Sequence, residues 1–155
     1  MNNLILIKYG ELTTKKANRN AFTKLLANNI KSLLKDEEFN LKFDRVRMYI
    51  ECNDATIIAK KLEKVFGIHS IVICHKVNTN TDDIKAKVLE LLKKETFNTF
   101  KINTKRANKS FEIPSMEFNN IIGGHVLKNI NCKVDVHNPD ILVTIEIRVE
   151  GTFVY

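Results

Sequence analysis

Apolar and polar residues alternate from the start of this chain, in "LILIKYG", Leu4 to Gly10, as they do along a half-buried strand. Beyond "ELTTKKANRN" the period lengthens. Phe22, Leu25, Leu26, Ile30, Leu33 and Leu34 recur every three to four residues, which predicts a helix ended by the acidic "DEE", Asp36 to Glu38. "NLKFDRVRMYIECN" holds two short alternating runs and reads as a hairpin. Asn53 or Asp54 is suited to cap the next helix, "ATIIAKKLEKVF", which Gly67 stops ahead of the strand "IHSIVICHKV". The order β, α, β, β, α, β predicts a ferredoxin-like unit over residues 1–77, an open sheet with both helices on one face.

Polar "NTNTDD", Asn78 to Asp83, marks a boundary, and residues 78–155 read as a second α/β unit. Thr81 is placed to cap a helix carrying Ile84, Val88, Leu91 and Leu92. "TFKIN" is a strand, "TKRANKS", Thr104 to Ser110, a basic loop, and "FEI", Phe111 to Ile113, a return to strand alternation. Ser115 is expected to cap a helix from Met116 to about Ile130, with Phe118, Ile121, Ile122, His125 and Val126 on its apolar face. "CKVDV", the turn "HNPD", "ILVTIEI", Gly151 and "TFVY" complete a small mixed sheet. The last strand runs into Tyr155 without a polar tail, so a longer protein is expected to continue beyond it.

Composition narrows the class. At 155 residues, 44% hydrophobic and 28% charged, the chain is neither disordered nor membrane-like. Its longest apolar runs fall short of the roughly 18 residues a membrane-spanning helix needs, and no signal peptide opens it, so a cytoplasmic address without a membrane partner is expected. Cys52, Cys74 and Cys132 are odd in number, widely spaced and set in apolar surroundings, which suits buried thiols better than disulfides or a zinc site. In a strand, His69 and His75 lie about 20 Å apart and share no metal. No catalytic constellation and no phosphate-cradling glycine loop emerge.

The net charge of +7 points toward polyanions. Residues 1–77 carry 14 Lys and Arg against 8 Asp and Glu, and residues 78–155 carry 11 against 10. Yet Lys101, Lys105, Arg106 and Lys109 fall within nine residues free of acid. With Asn108 and Ser110 as neutral donors, beside a helix N-terminus near Ser115, the loop has the chemistry of a phosphate-binding surface or of a merely solvated one. Lys8, Lys15, Lys16 and Arg19, with Lys24 and Lys31, form a second basic cluster along the first helix, where positive charge does nothing for helix stability. Gly123 and Gly124 inside a helix cost about 1 kcal/mol each relative to Ala. Either close packing on the sheet or the approach of a ligand such as a sugar-phosphate chain offsets that cost. Phe97, Phe100 and Phe111 suit a core at least as well as a stacking platform.

"IKYGELTTKKANRNAF", "FGIHSIV", "FKINTKRANKSFEIPSMEFNNIIGGHVL" and "KVDVHNPDILVTIEIRVEGTFVY" together resemble, in continuous order, the N-terminal half of tRNA 4-thiouridine synthetases, the tRNA sulfurtransferases, a family also linked to thiamine biosynthesis. The resemblance implies a ferredoxin-like domain followed by a THUMP domain, a tRNA-binding module that docks the acceptor stem and 3′-CCA end and presents a distant uridine to a catalytic domain. By motif it places Lys105, Arg106, Lys109, Ser110, Gly123, Gly124 and Asn138 of the "HNPD" turn at or near RNA, although "NPD" has local turn chemistry of its own. Lys15, Lys16 and Arg19 widen the footprint; the family often has Gly where Lys16 stands. The ATP pyrophosphatase domain, its "SGGxDS" loop and the catalytic cysteine are not in this sequence. ATP, magnesium and a cysteine desulfurase as sulfur source are therefore expected of the longer protein, no cofactor is expected here, and the chain alone is expected to be inactive. Two other readings stay open: the THUMP module of an RNA methyltransferase or pseudouridine synthase, and a ferredoxin-like enzyme or interaction module without RNA.

Overall fold

The computed structural model describes residues 3–9, 16–44 and 47–155. The chain folds as two compact units, residues 1–75 and 76–155. The first contains β1 (Asn3–Tyr9), α1 (Lys16–Leu33), β2 (Phe39–Phe43), β3 (Arg47–Cys52), α2 (Ala55–Leu62) and all but the last two residues of β4 (Ile68–Val77). Its strands lie in the order β2-β3-β1-β4, every neighbouring pair antiparallel, which is the ferredoxin-like arrangement. Strand alternation decides which face is covered. Ile5 and Ile7 of β1 stand opposite Ile50 and Met48 of β3, and these four join Leu26 and Ile30 from α1, Leu34 just past its end, and Ile58 and Leu62 from α2 in one buried cluster. Each such side chain contributes about 1.5–3 kcal/mol relative to an exposed one.

The expected helix faces need correction in two places. Leu25 and Leu33 are 58% and 41% exposed, because a stripe at four-residue spacing, Phe22, Leu26, Ile30 and Leu34, already meets the sheet. The second helix is capped by Asp54, whose carboxylate accepts the Ile57 N–H at 3.1 Å, but it ends at Leu62 rather than Phe66, and Phe66 is 81% exposed. Gly67 adopts φ +96°, where an added Cβ would stand 2.5 Å from the Phe22 ring, so both the turn and the helix packing require glycine there.

The second unit contains α3 (Thr81–Lys93), β5 (Thr99–Arg106), α4 (Ser115–Asn129), β6 (Lys133–Val134), β7 (Ile141–Arg148) and β8 (Gly151–Val154). Its sheet order is β8-β7-β5-β6; β5 runs parallel to β6 and β7, and β7 pairs antiparallel with β8. Phe100, Ile102, Ile145 and Ile147 of the sheet pack with Ile84, Val88 and Leu92 of α3 and Phe118, Ile122 and Val126 of α4. A mixed α/β chain is therefore what the periodicities build.

Three local expectations differ here. Asn80, not Thr81, caps α3, its side-chain oxygen accepting the Asp83 N–H at 2.8 Å. Ser115 is the first residue of α4 and not its cap; Pro114 holds the cap position and makes no side-chain cap hydrogen bond. "FEI" is not a strand: β5 continues through Lys105 and Arg106, the chain turns, and the Phe111 ring drops edge-on to Phe118 at 5.3 Å and 89°. Burial of alternate apolar residues imitates a strand whenever a loop lies on a core. Phe97 and Phe100 likewise meet edge to face at 6.4 Å, Phe100 fully buried, so these rings are core rather than stacking surface.

Among the described residues no cysteine is in a disulfide; Cys52 and Cys74 are buried and Cys132 half-buried. Burial, with the charge of Asp54 beside the first, pushes the Cys52 thiol up, and burial does the same to Cys132, which leaves both poor nucleophiles. Among the described residues no group of three or more His, Cys, Asp or Glu is placed to hold a metal, and no helix is long and apolar enough to cross a membrane.

Candidate nucleic-acid interface

Strand period organises the basic segment. Phe100, Ile102 and Thr104 turn into the core, so Lys101, Asn103 and Lys105 stand on the opposite face, and Arg106 has the parity of the core residues. Lys105 and Arg106, adjacent in sequence, thus point to opposite faces. The Arg106 guanidinium donates to the Phe111 carbonyl at 3.1 Å and so ties the loop together; the residue is half-exposed. Lys101, Lys105 and Lys109 make no ion pair with any described residue, and Lys105 and Lys109 are exposed.

Asn108 and Ser110, expected as donors for a ligand, bond to each other. The Asn108 side-chain oxygen accepts from the Ser110 N–H at 3.1 Å and its hydroxyl at 2.6 Å, while the Asn108 N–H donates to the Ile147 carbonyl at 2.8 Å. The pair builds the turn that presents Lys109, and Ser110 keeps only its acceptor capacity for anything outside.

The glycines of α4 resolve differently from the packing expectation. A Cβ at Gly123 or at Gly124 would meet nothing within 4 Å, so neither residue is there to let the helix approach the sheet. They border a groove of about 530 Å³ whose walls also include Ile102, Asn119, Asn120 and Met116. Its floor is the edge of β5. The two-residue β6 covers only Thr99 and Phe100, after which the Asp135 N–H donates to the Phe100 carbonyl at 3.0 Å. Farther along, Asn119 accepts the Thr104 N–H at 2.8 Å. Between those two points, among the described residues, Ile102 has no strand opposite its outer edge. Asn119 and Asn120 were not singled out from the sequence. The available signal was four poor helix formers, two Asn and two Gly, within six residues of a helix.

The "HNPD" turn is structural in its backbone. Asp135 accepts the N–H groups of His137 and Asn138, each at 3.0 Å, and Asp140 accepts those of Asn98 and Thr99 at 2.9 and 3.1 Å. The amides of Asn138 and His137 hold the Asp135 carboxyl below its ordinary range, and those of Asn98 and Thr99 do so for Asp140. The Asn138 side chain is exposed. Of the first-helix cluster, Arg19 is half-buried and already engaged, Lys16 opens α1, and Lys15 and the Lys16 side chain lie outside the described residues.

Set against known proteins, the chain matches the ThiI ferredoxin-like domain over residues 4–72 and the THUMP domain over residues 78–155. It is 47% identical over 158 residues to a "Probable tRNA sulfurtransferase" of Thermoanaerobacter pseudethanolicus, a match covering all of this chain and 41% of the relative. It therefore spans about two-fifths of the length of the curated relatives it matches. Among solved structures it is similar to a 4-thiouridine synthetase in complex with RNA and ATP, with TM-score 0.80, 29% identity, and coverage of 100% of this chain and 41% of that one. A protein from Pyrococcus horikoshii Ot3 aligns with TM-score 0.79 and 29% identity over 99% of this chain and 53% of its own.

Proposed function

Since this chain belongs to the THUMP domain family and joins that domain to a ThiI ferredoxin-like one, the N-terminal arrangement of tRNA 4-thiouridine synthetases, we propose that it is a tRNA-gripping region that docks the acceptor stem and 3′-CCA end. The observation that carries this reading is the lysine series on β5 and its loop. Lys101, Lys105 and Lys109 have no acidic partner among the described residues, and Lys101 lines a groove bordered by the two glycines. Cations without internal partners are available to phosphate oxygens, and bare helix backbone admits a chain end with its bases. The uncapped first turn of α4 adds amide donors on the same unit. Arg106 contributes its remaining donors, Ser110 its acceptor and Asn138 its exposed amide; Lys15, Lys16 and Arg19 extend the positive field. On this reading thiolation, with ATP, magnesium and sulfur delivered by a cysteine desulfurase, belongs to a further domain of a cytoplasmic protein.

The test is binding of an acceptor-stem minihelix with and without its 3′-CCA end across a salt series. Intact minihelix should bind more tightly than the truncated one, and Lys105→Ala should weaken binding and lower the slope of log affinity against log salt by about one. Equal affinity for both RNAs would mark a nonspecific basic surface and end the docking assignment.

A further inference from the structure

Lys105 is free for a reason that lies on the neighbouring strand. In the parallel pairing of β5 with β7, Lys105 and Glu146 are register partners on the same face, a placement in which Lys and Glu ordinarily pair. They do not. One Glu146 oxygen is held by the Arg148 guanidinium, two residues along the same face of β7, and the other accepts the Tyr155 hydroxyl at 3.4 Å. Arg148 is fixed in turn: its guanidinium lies over the Phe153 ring at 5.5 Å and reaches Glu150 at 3.6 Å. The Glu146 and Arg148 side chains are only 6% and 19% exposed, whereas Lys105 is exposed.

We propose that Arg148 is a positioning residue for anion binding: by occupying Glu146 it keeps the Lys105 ammonium unpaired and directed at a phosphate of the RNA backbone. The inference rests on the RNA-docking reading. Its physical basis is competition for one carboxylate. A guanidinium that is half-desolvated, stacked on an aromatic ring and held in a rigid fork outcompetes a flexible, strongly hydrated ammonium. Without Arg148, the nearly buried Glu146 carboxylate loses its guanidinium, and Lys105 is the cation its strand register places beside it.

The experiment measures affinity of the whole chain for the CCA-bearing minihelix over a salt series. Arg148→Met deletes the charge while keeping an apolar stem over Phe153, and Arg148→Gln is the second variant; a thermal melt shows which is folded. Each folded variant should lose about as much affinity and salt slope, about one unit, as Lys105→Ala. Combining it with Lys105→Ala should add nothing further, and combining it with Glu146→Gln should restore both quantities. If Lys105→Ala lowers the slope but the folded Arg148 variants keep it, the inference fails while the docking reading stands. An additive loss, or no restoration by Glu146→Gln, makes Arg148 a direct ligand and also overturns it. If Lys105→Ala itself changes nothing, the placement of RNA at this strand fails, and the inference with it.

Discussion

Asn119 accepts the backbone N–H of Thr104 at 2.8 Å, so a helix side chain closes the outer edge of β5 at the position where a further strand would otherwise pair. The contact locks α4 to the sheet at one end of the glycine-lined groove. Replacing it by Ala leaves the Thr104 N–H without its partner, and Asn119→Ala should cost about 1–2 kcal/mol. Urea denaturation of the variant checks this. Asn119→Asp, which retains an acceptor, should lose less; an equal loss would mean the amide acts through packing and not through this bond.

Thr104 itself is 7% exposed, and its hydroxyl oxygen is buried without a hydrogen-bond partner among the described residues. An unpaired buried hydroxyl costs stability. Thr104→Val removes it at nearly constant shape and leaves the strand backbone unchanged, so the variant should be neutral or more stable by up to about 1 kcal/mol. A midpoint shift toward lower urea would show that a water or ligand satisfies the hydroxyl in solution.

The glycines of α4 separate stability from binding. Because a Cβ at Gly124 meets nothing within 4 Å, Gly124→Ala should raise stability by about 0.5–1 kcal/mol through helix propensity. Gly124→Leu fills the groove, and should leave the fold intact while weakening minihelix binding. Retained affinity in a folded Gly124→Leu protein would remove the groove from the interface.

Asp135 and Asp140 titrate below their ordinary range because backbone amides stabilise their charged forms. A carboxyl with a depressed folded pKa contributes stability that is present above the unfolded value, about 3.9, and is lost as pH falls through the folded pKa. The second unit should therefore lose melting temperature steeply below about pH 4, and Asp140→Asn should flatten that loss. Parallel melts between pH 2 and 6 read the difference; coincident pH profiles would mean these turns contribute nothing to acid sensitivity.

Much of the architecture follows from local patterning, since a period of two or of 3.6 is written directly into the positions of Ile, Leu, Val and Phe. The ferredoxin-like order, both helices of the second unit and the unbroken basic run from Lys101 to Lys109 were all legible in this way. Caps and ends were less so. Asn80 and Thr81 both suit a cap, and only backbone geometry chooses between them. The "FEI" alternation served a loop because the Phe118 ring, not a strand, was there to receive Phe111.

What tertiary structure alone decided is which charges remain available. From the sequence, Lys105, Arg106 and Glu146 are a cation, a cation and an anion 40 residues on. Parallel pairing brings Lys105 and Glu146 side by side, strand alternation sends Arg106 to the other face, and Arg148 with Tyr155 takes the carboxylate. Electrostatic neutralisation depends on distance and burial, neither of which is a property of a position in the chain. The residues therefore establish that this protein is basic and how it folds, and only the packed sheet determines which of its lysines meets an anion.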